Sequence, residues 1–217
     1  MFQSMRRVFE SVEKTLHTLA SHGEAGEHPW DNEPNLFKRD IMICASHLGD
    51  GNDVEVRTEA VRKIGHLAYT GGAEAAKCAA TYLPIIAEIL KGETTTSSST
   101  ALKTEVVKAL SEICRAHKDN CSQVCEGLVL LPVLAELVTS HADPALTRWS
   151  CYALVVVCAS STKVVRALME YYSETDGGNL KECLEEMEEG SWKGWPRNYA
   201  AVIRDFLGHV KVDLNAK

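Results

Sequence analysis

Cys114, His117, Cys121 and Cys125 are the residues whose types and spacing come nearest to a site of chemistry. Thiolate and imidazole are preferred zinc ligands, but a zinc site needs four of them closing a tetrahedron. Residues strung along one helical rod cannot supply that, although a chain reversal at Lys118-Asp119 would let two short helices converge. The plainer reading places Cys114 on the core face of one helix and Cys121 and Cys125 a turn apart on the next. His117 then falls in the turn between them. The expectation is that no metal is bound. The other cysteines fall mostly inside helical patterns where Ala or Val would also fit, as buried reduced thiols of a cytoplasmic protein do.

Other catalytic constellations are not in evidence. The sequence has no Gly-rich phosphate loop, no Gly-x-Ser-x-Gly elbow and no His-Glu-x-x-His. His22, Glu24, Glu27 and His28 sit in a Gly- and Pro-broken stretch where preorganised acid–base work is difficult to arrange. Gly49 to Asp53 is too short for a calcium loop and reads as a turn followed by a helix cap. Asn120-Cys121-Ser122 is formally a glycosylation sequon, expected to stay unmodified. No catalytic residues, cofactor or small-molecule substrate are expected.

Charge and hydropathy narrow the partners. Of 217 residues, 23 are Lys or Arg and 30 are Asp or Glu, a formal charge of −7. Nucleic-acid binding needs a basic footprint that this balance does not provide. The acidic residues are densest at Glu182, Glu185, Glu186, Glu188 and Glu189, where a solvated helix face accounts for them. The longest near-continuous apolar run, Tyr152 to Ala159, is far too short to span a bilayer. Residues 1–20 mix charges with apolar residues and lack the uncharged stretch of a targeting signal.

Internal repetition sets the architecture that must position any site. Leu83-Pro84-Ile85-Ile86-Ala87-Glu88-Ile89-Leu90 recurs as Leu131-Pro132-Val133-Leu134-Ala135-Glu136-Leu137-Val138, 48 residues later. Repetition at that period is the mark of stacked helical units. Met5, Val8, Phe9, Val12, Leu16 and Leu19 form one apolar stripe, so an amphipathic helix is expected before a linker that ends at Pro34. Residues 1–34 are thus set apart from a helical domain over 35–217.

Within that domain, helices are expected over Leu36–Leu48 and Val54–Tyr69, the second capped by Asp53 and burying Val56, Ala60, Ile64 and Leu67/Ala68. Two blocks then follow one plan. The first is Ala73–Ala80, Leu83–Leu90 and Ala101–Ala116; the second is Cys121–Gly127, capped by Asp119 or Asn120, then Leu130–Val138 and Ala145–Ala159. The third helices align from Val61, Val107 and Cys151, at separations of 46 and 44 residues. The earlier block therefore holds about four extra residues, which coincide with the polar run Thr94 to Thr100, expected to be an unpacked spacer. Lys163–Tyr172, Leu180–Met187 and a helix opened by Pro196 close the array.

A short helix, then Leu-Pro-x-x-x-x-Leu-Leu, a loop and a longer helix with Ala-Leu near its middle resembles the armadillo repeat. Gly127 to Ala159 carries the likeness best and Asp53 to Ala116 more loosely, for a coverage of about residues 36–160. The resemblance implies an all-α, right-handed α-solenoid of about three to four helical repeats. Its job would be a non-enzymatic protein–protein interaction scaffold or adaptor. Some small members of this kind are ciliary or sperm proteins. The alternative is therefore a structural component of a larger assembly, such as a ciliary or sperm-flagellar microtubule complex, which would place the chain in a cilium or flagellum. Armadillo arrays that grip extended peptides resemble one another in a Trp and an Asn on the third helix. Here those positions hold Arg62, Lys108 and Tyr152, and His66, Glu112 and Val156, so import-adaptor function is not expected.

In such an array the third helices line the concave groove. Thr58, Arg62, His66, Thr104, Lys108, Glu112, Arg148, Tyr152 and Val156 are the residues placed there, a mixture suited to a protein partner that is acidic at one end and apolar at the other. The helix bearing Tyr152 and Val156 is apolar nearly all round, so either a partner or the C-terminal block must cover it. Trp192 and Trp195, with Tyr199, are a second candidate, since aromatics near a loop are frequent interface hot spots. Packing of the terminal helix explains them equally well.

Overall fold

The computed structural model describes residues 28–92, 97–115, 117–127, 129–140, 143–174 and 178–215. The expected N-terminal helix over residues 5–20, and residues 94–96 of the polar run, lie outside them. Among the described residues the chain is all-α, without a strand, and it divides into two compact units, residues 1–113 and 114–217.

In the first unit, α1 (Leu36–Ala45) starts at Asn35, whose side chain accepts from the Phe37 and Lys38 amides. Capping of this kind answers amides that the first turn leaves unpaired. Next come α2 (Val54–Thr70), α3 (Gly72–Ala80) and α4 (Leu83–Lys91), followed by α5 (Ser97–Cys114). Helices α1, α2 and α3 pack on one another. Gly72, at a φ of +74°, makes the sharp break between α2 and α3, a conformation that costs glycine little. Helix α4 buries Leu83, Ile85, Ile86, Ala87, Ile89 and Leu90, nearly its whole circumference.

Three expectations for this unit need correction. Asp53 holds the N-cap position of α2 but its side chain makes no capping bond. Val56 is 42% exposed instead of buried; the buried stripe of α2 begins a turn later, at Ala60, Val61 and Ile64. The polar run is not all spacer, because Ser97 to Thr100 form the first turn of α5 and Ser99 is buried. The extra residues therefore lengthen a helix, 18 residues against 15 for its counterpart in the second block.

In the second unit, α6 (Lys118–Ser122) passes directly into a π-helical turn, Gln123–Gly127. His117, not Asp119 or Asn120, holds the N-cap of α6, and Asn120 is buried. The turn closes with a bond from the Leu130 amide to the Val124 carbonyl. Val129 there adopts a φ of +52°, where glycine is usual. Helix α7 (Leu131–Thr139) pairs with α8 (Pro144–Cys158). Asp143 starts α8 by accepting from the Ala145 and Leu146 amides at 2.9 and 2.8 Å. The buried hydroxyl of Ser150 donates to the Leu146 carbonyl, four residues back, so burial leaves it satisfied.

Helices α9 (Thr162–Glu174), α10 (Gly178–Glu189) and α11 (Tyr199–Asn215) complete the unit. Pro196 does not open α11, which begins three residues later. Asn198 accepts from the Ala201 amide there. Helix α11 packs against α8, α9 and α10. The C-terminal block therefore covers part of α8 and leaves Arg148, Tyr152 and Val156 half-buried.

Candidate functional site

In the first unit, α2 presents Thr58, Arg62 and His66 one turn apart. The Thr58 hydroxyl is spent on the Val54 carbonyl of its own helix, at 2.6 Å. Helix α5 approaches α2 closely at Gly65, where an added Cβ would lie 2.7 Å from the Ala109 Cα and 2.7 Å from Glu112 Oε2. That approach brings Arg62, His66, Lys108 and Glu112 around one cavity of about 270 Å³. Lys63 and His66 also line a neighbouring cavity of about 370 Å³, beside Ile43, Cys44 and Leu67.

The charges here are largely answered within the chain. Arg62 pairs with Glu59 at 2.5 Å and Glu105 at 3.4 Å, while Lys108 pairs with Glu105 at 2.6 Å. Lys63 reaches Glu59 at 3.6 Å. Glu105, only 14% exposed, is the shared carboxylate between the two helices. An acidic partner would meet cations already held by Glu59 and Glu105, so attraction to Arg62 and Lys108 is weaker than their types alone imply.

In the second unit, Arg148, Tyr152 and Val156 are half-buried on α8. Tyr152 packs on Tyr199 with ring centroids 4.9 Å apart, and on Trp149 at 5.7 Å. Trp195 lies 4.9 Å from Trp149 and 5.7 Å from Trp192. Tilted and edge-on pairs of this kind add to the area each ring buries. Trp192 and Trp195 therefore do pack against α8 and α11, yet both stay half-buried and keep part of their surface in solvent.

The loop after α10 is tied down by side chains. Trp192 Nε1 donates to the Met187 carbonyl at 2.7 Å, Asn198 to the Glu188 carbonyl at 2.9 Å, and Arg148 to the Ser191 carbonyl at 3.1 Å. These bonds satisfy carbonyls at and just beyond the last turn of a helix. The Arg148 guanidinium lies 5.9 Å from the Trp192 ring centroid, within cation–π range. Arg148 and Trp192 line a cavity of about 280 Å³ with Pro144, Thr147, Glu186 and Met187. The sequence reading missed Trp149, although it lies three residues before Tyr152 on one helix face.

The cysteines form a separate group in this unit. Cys121 is within 3.3 Å of the Cys114 carbonyl, and both thiols are buried. The Cys114 thiol, and secondarily the Ser160 hydroxyl, stabilise the Cys121 thiolate against the opposing effect of burial, lowering its pKa to about 7. Burial pushes Cys125, Cys151 and Cys158 up to about 12. Among the described residues no three His, Cys, Asp or Glu side chains are grouped to hold a metal ion, and His117 sits in the turn before α6. No single described helix is long and apolar enough to cross a membrane.

A sequence model of the armadillo-like helical domain-containing protein 2 family matches residues 1–211, nearly the whole chain. The chain belongs to that family. No curated protein and no solved structure matches it. Membership fits the repeated Leu-Pro helices α4 and α7 and the wholly helical fold. It makes this armadillo-like chain a helical scaffold by fold type, a type that is typically non-catalytic, and armadillo-like folds commonly mediate protein interactions.

Proposed function

We propose that the chain is a non-enzymatic adaptor that binds a protein partner through residues of its longer helices and of the loop after α10. Two surfaces are assigned to that role, each within one unit. Thr58, Arg62, His66, Lys108 and Glu112 form one, and Arg148, Tyr152, Val156, Trp192 and Trp195 the other. The observation that carries the proposal is the half-buried set of Trp149, Tyr152, Trp192, Trp195 and Tyr199 with Arg148 stacked at its edge. Trp, Tyr and Arg are the residues that dominate interface energetics, and a rigid platform loses little entropy when bound. The free thiols support a reducing compartment such as the cytoplasm.

The proposal is tested with a partner identified by cross-linking and then purified. Calorimetry of the full chain should give direct binding, and Arg62→Glu together with Arg148→Gln should weaken it at least about tenfold with folding retained. Unchanged affinity would remove both surfaces from the account.

A further inference from the structure

Arg39, Arg57, Arg62 and Arg204 each pair with a carboxylate of the chain. Arg148 does not. Its contacts among the described residues are the Ser191 carbonyl and the Trp192 ring, so its charge is oriented but not neutralised while it lines the 280 Å³ cavity. With no carboxylate of the described residues within salt-bridge distance, the half-exposed guanidinium keeps donors that an incoming carboxylate could take up as charge-assisted hydrogen bonds. Arg148 is the one cation in the wall, and several neighbouring donors are already engaged. The Ala145 and Leu146 amides are taken by Asp143, and Pro144 has no amide to offer. The Thr147 hydroxyl is spent on the Asp143 carbonyl at 2.8 Å.

We propose that this cavity is the subsite for one acidic side chain, Asp or Glu, of a linear peptide partner. Arg148 is the anchor, and Trp192 is the platform for an apolar neighbour in the peptide. Glu186 on the rim sets the charge it accepts. Its carboxylate tolerates a singly charged ligand held by Arg148 but repels a doubly charged one, so a carboxylate is preferred to a phosphate. The inference rests on the reading of the chain as a protein-binding adaptor.

The test uses the full chain as bait for phage displaying random twelve-residue peptides, followed by fluorescence anisotropy on synthetic versions of the selected peptides. Enriched peptides should share one acidic residue. Affinity should fall about tenfold or more both for the peptide's Glu→Gln or Asp→Asn version and for Arg148→Gln protein. Because Arg148 also holds the Ser191 carbonyl, Glu186→Gln supplies an independent readout. Its side chain is exposed and forms no salt bridge among the described residues, and its neutralisation should tighten the acidic peptide about threefold. Enriched peptides without an acid, or binding unmoved by Arg148→Gln, overturn the subsite and leave the adaptor reading standing. An unchanged or weaker affinity for Glu186→Gln overturns it as well. Failure to enrich any peptide overturns both.

Discussion

Gly65 and Ala109 meet so closely that a Cβ on Gly65 would lie 2.7 Å from the Ala109 Cα. A backbone atom cannot rotate away, so α2 and α5 approach here only because residue 65 has no side chain. Gly65→Ala should therefore destabilise the protein even though alanine is the better helix former by roughly 1 kcal/mol. Overpacking costs about 1–3 kcal/mol, and a clash with a backbone atom places this site at the upper end, leaving a net loss of about 2 kcal/mol in chemical denaturation. Glu112→Ala should not rescue it, because removing that carboxylate leaves the Ala109 Cα in place. A neutral or stabilising Gly65→Ala would show that the helices stand further apart.

Tyr152 separates packing from binding on α8. With its ring against Tyr199 and Trp149, Tyr152→Ala should cost about 3 kcal/mol of folding stability. It is therefore the wrong variant for testing a partner surface. A melting temperature unchanged by Tyr152→Ala would show that α11 does not hold this face.

Val129 is 53% exposed and holds a left-handed conformation that is strained for a β-branched residue. Relief of that strain, about 1–2 kcal/mol, outweighs the roughly 0.5–1 kcal/mol of extra chain entropy that glycine loses on folding. Val129→Gly should raise stability by about 0.5 kcal/mol in urea titration. A loss of 1 kcal/mol or more would mean that the Val129 side chain contributes packing that outweighs the strain.

The thiols give stability a two-sided pH profile. Cys125, Cys151 and Cys158, raised to about 12, stay protonated in the fold while the unfolded chain ionises near 9.0. Their contribution is lost as pH climbs from about 9 to 12. Cys121, lowered to about 7 by the Cys114 thiol, acts in the opposite sense between about 7 and 9, while Cys114, raised by Cys121 and by burial, adds to the alkaline loss. Cys151 and Cys158, the most deeply buried of the raised thiols, each steepen the alkaline limb by no more than about 1.4 kcal/mol per pH unit. Urea midpoints at pH 7, 9 and 11 under reductant should show a fall at the alkaline end, shallower in Cys151→Ala, and Cys121→Ala should remove any rise from 7 to 9. An alkaline limb unaltered by Cys151→Ala would contradict this assignment.

How far the sequence carried depends on the kind of signal. The Leu-Pro repeat located α4 and α7 to within a residue because proline is suited to a first helical turn and the apolar pattern is dense. The expected start at Ala145 falls within a residue of the observed start of α8 at Pro144. The α6-to-π passage was not legible, because over ten residues a π turn and an α turn leave the same apolar pattern. Pro196 misled because the loop before α11 is fixed by Trp192, Arg148 and Asn198, contacts that no local pattern announces. At the site, the gathering of Arg62, His66, Lys108 and Glu112 followed from four-residue steps on aligned helices. The pairing of Arg62 and Lys108 with Glu105 did not, since the bond from Arg62 depends on how two helices cross.

Metal content is a further check on the Cys114 to Cys125 group. Protein purified under reductant without chelator should contain less than about 0.1 equivalent of zinc by mass spectrometry, since a zinc site needs four converging ligands. One tightly held equivalent, lost on changing Cys121 and Cys125 to Ala, would establish a metal site.

The adaptor reading is tested most directly by cross-linking mass spectrometry on the native protein in cells that express it. Lys63 and Lys108 border the first surface, and Lys193 lies next to Trp192 on the second. The account predicts intermolecular cross-links to one other polypeptide concentrated on these three lysines. Intermolecular links confined to Lys77, Lys91 and Lys181, or links only within the chain, would contradict it.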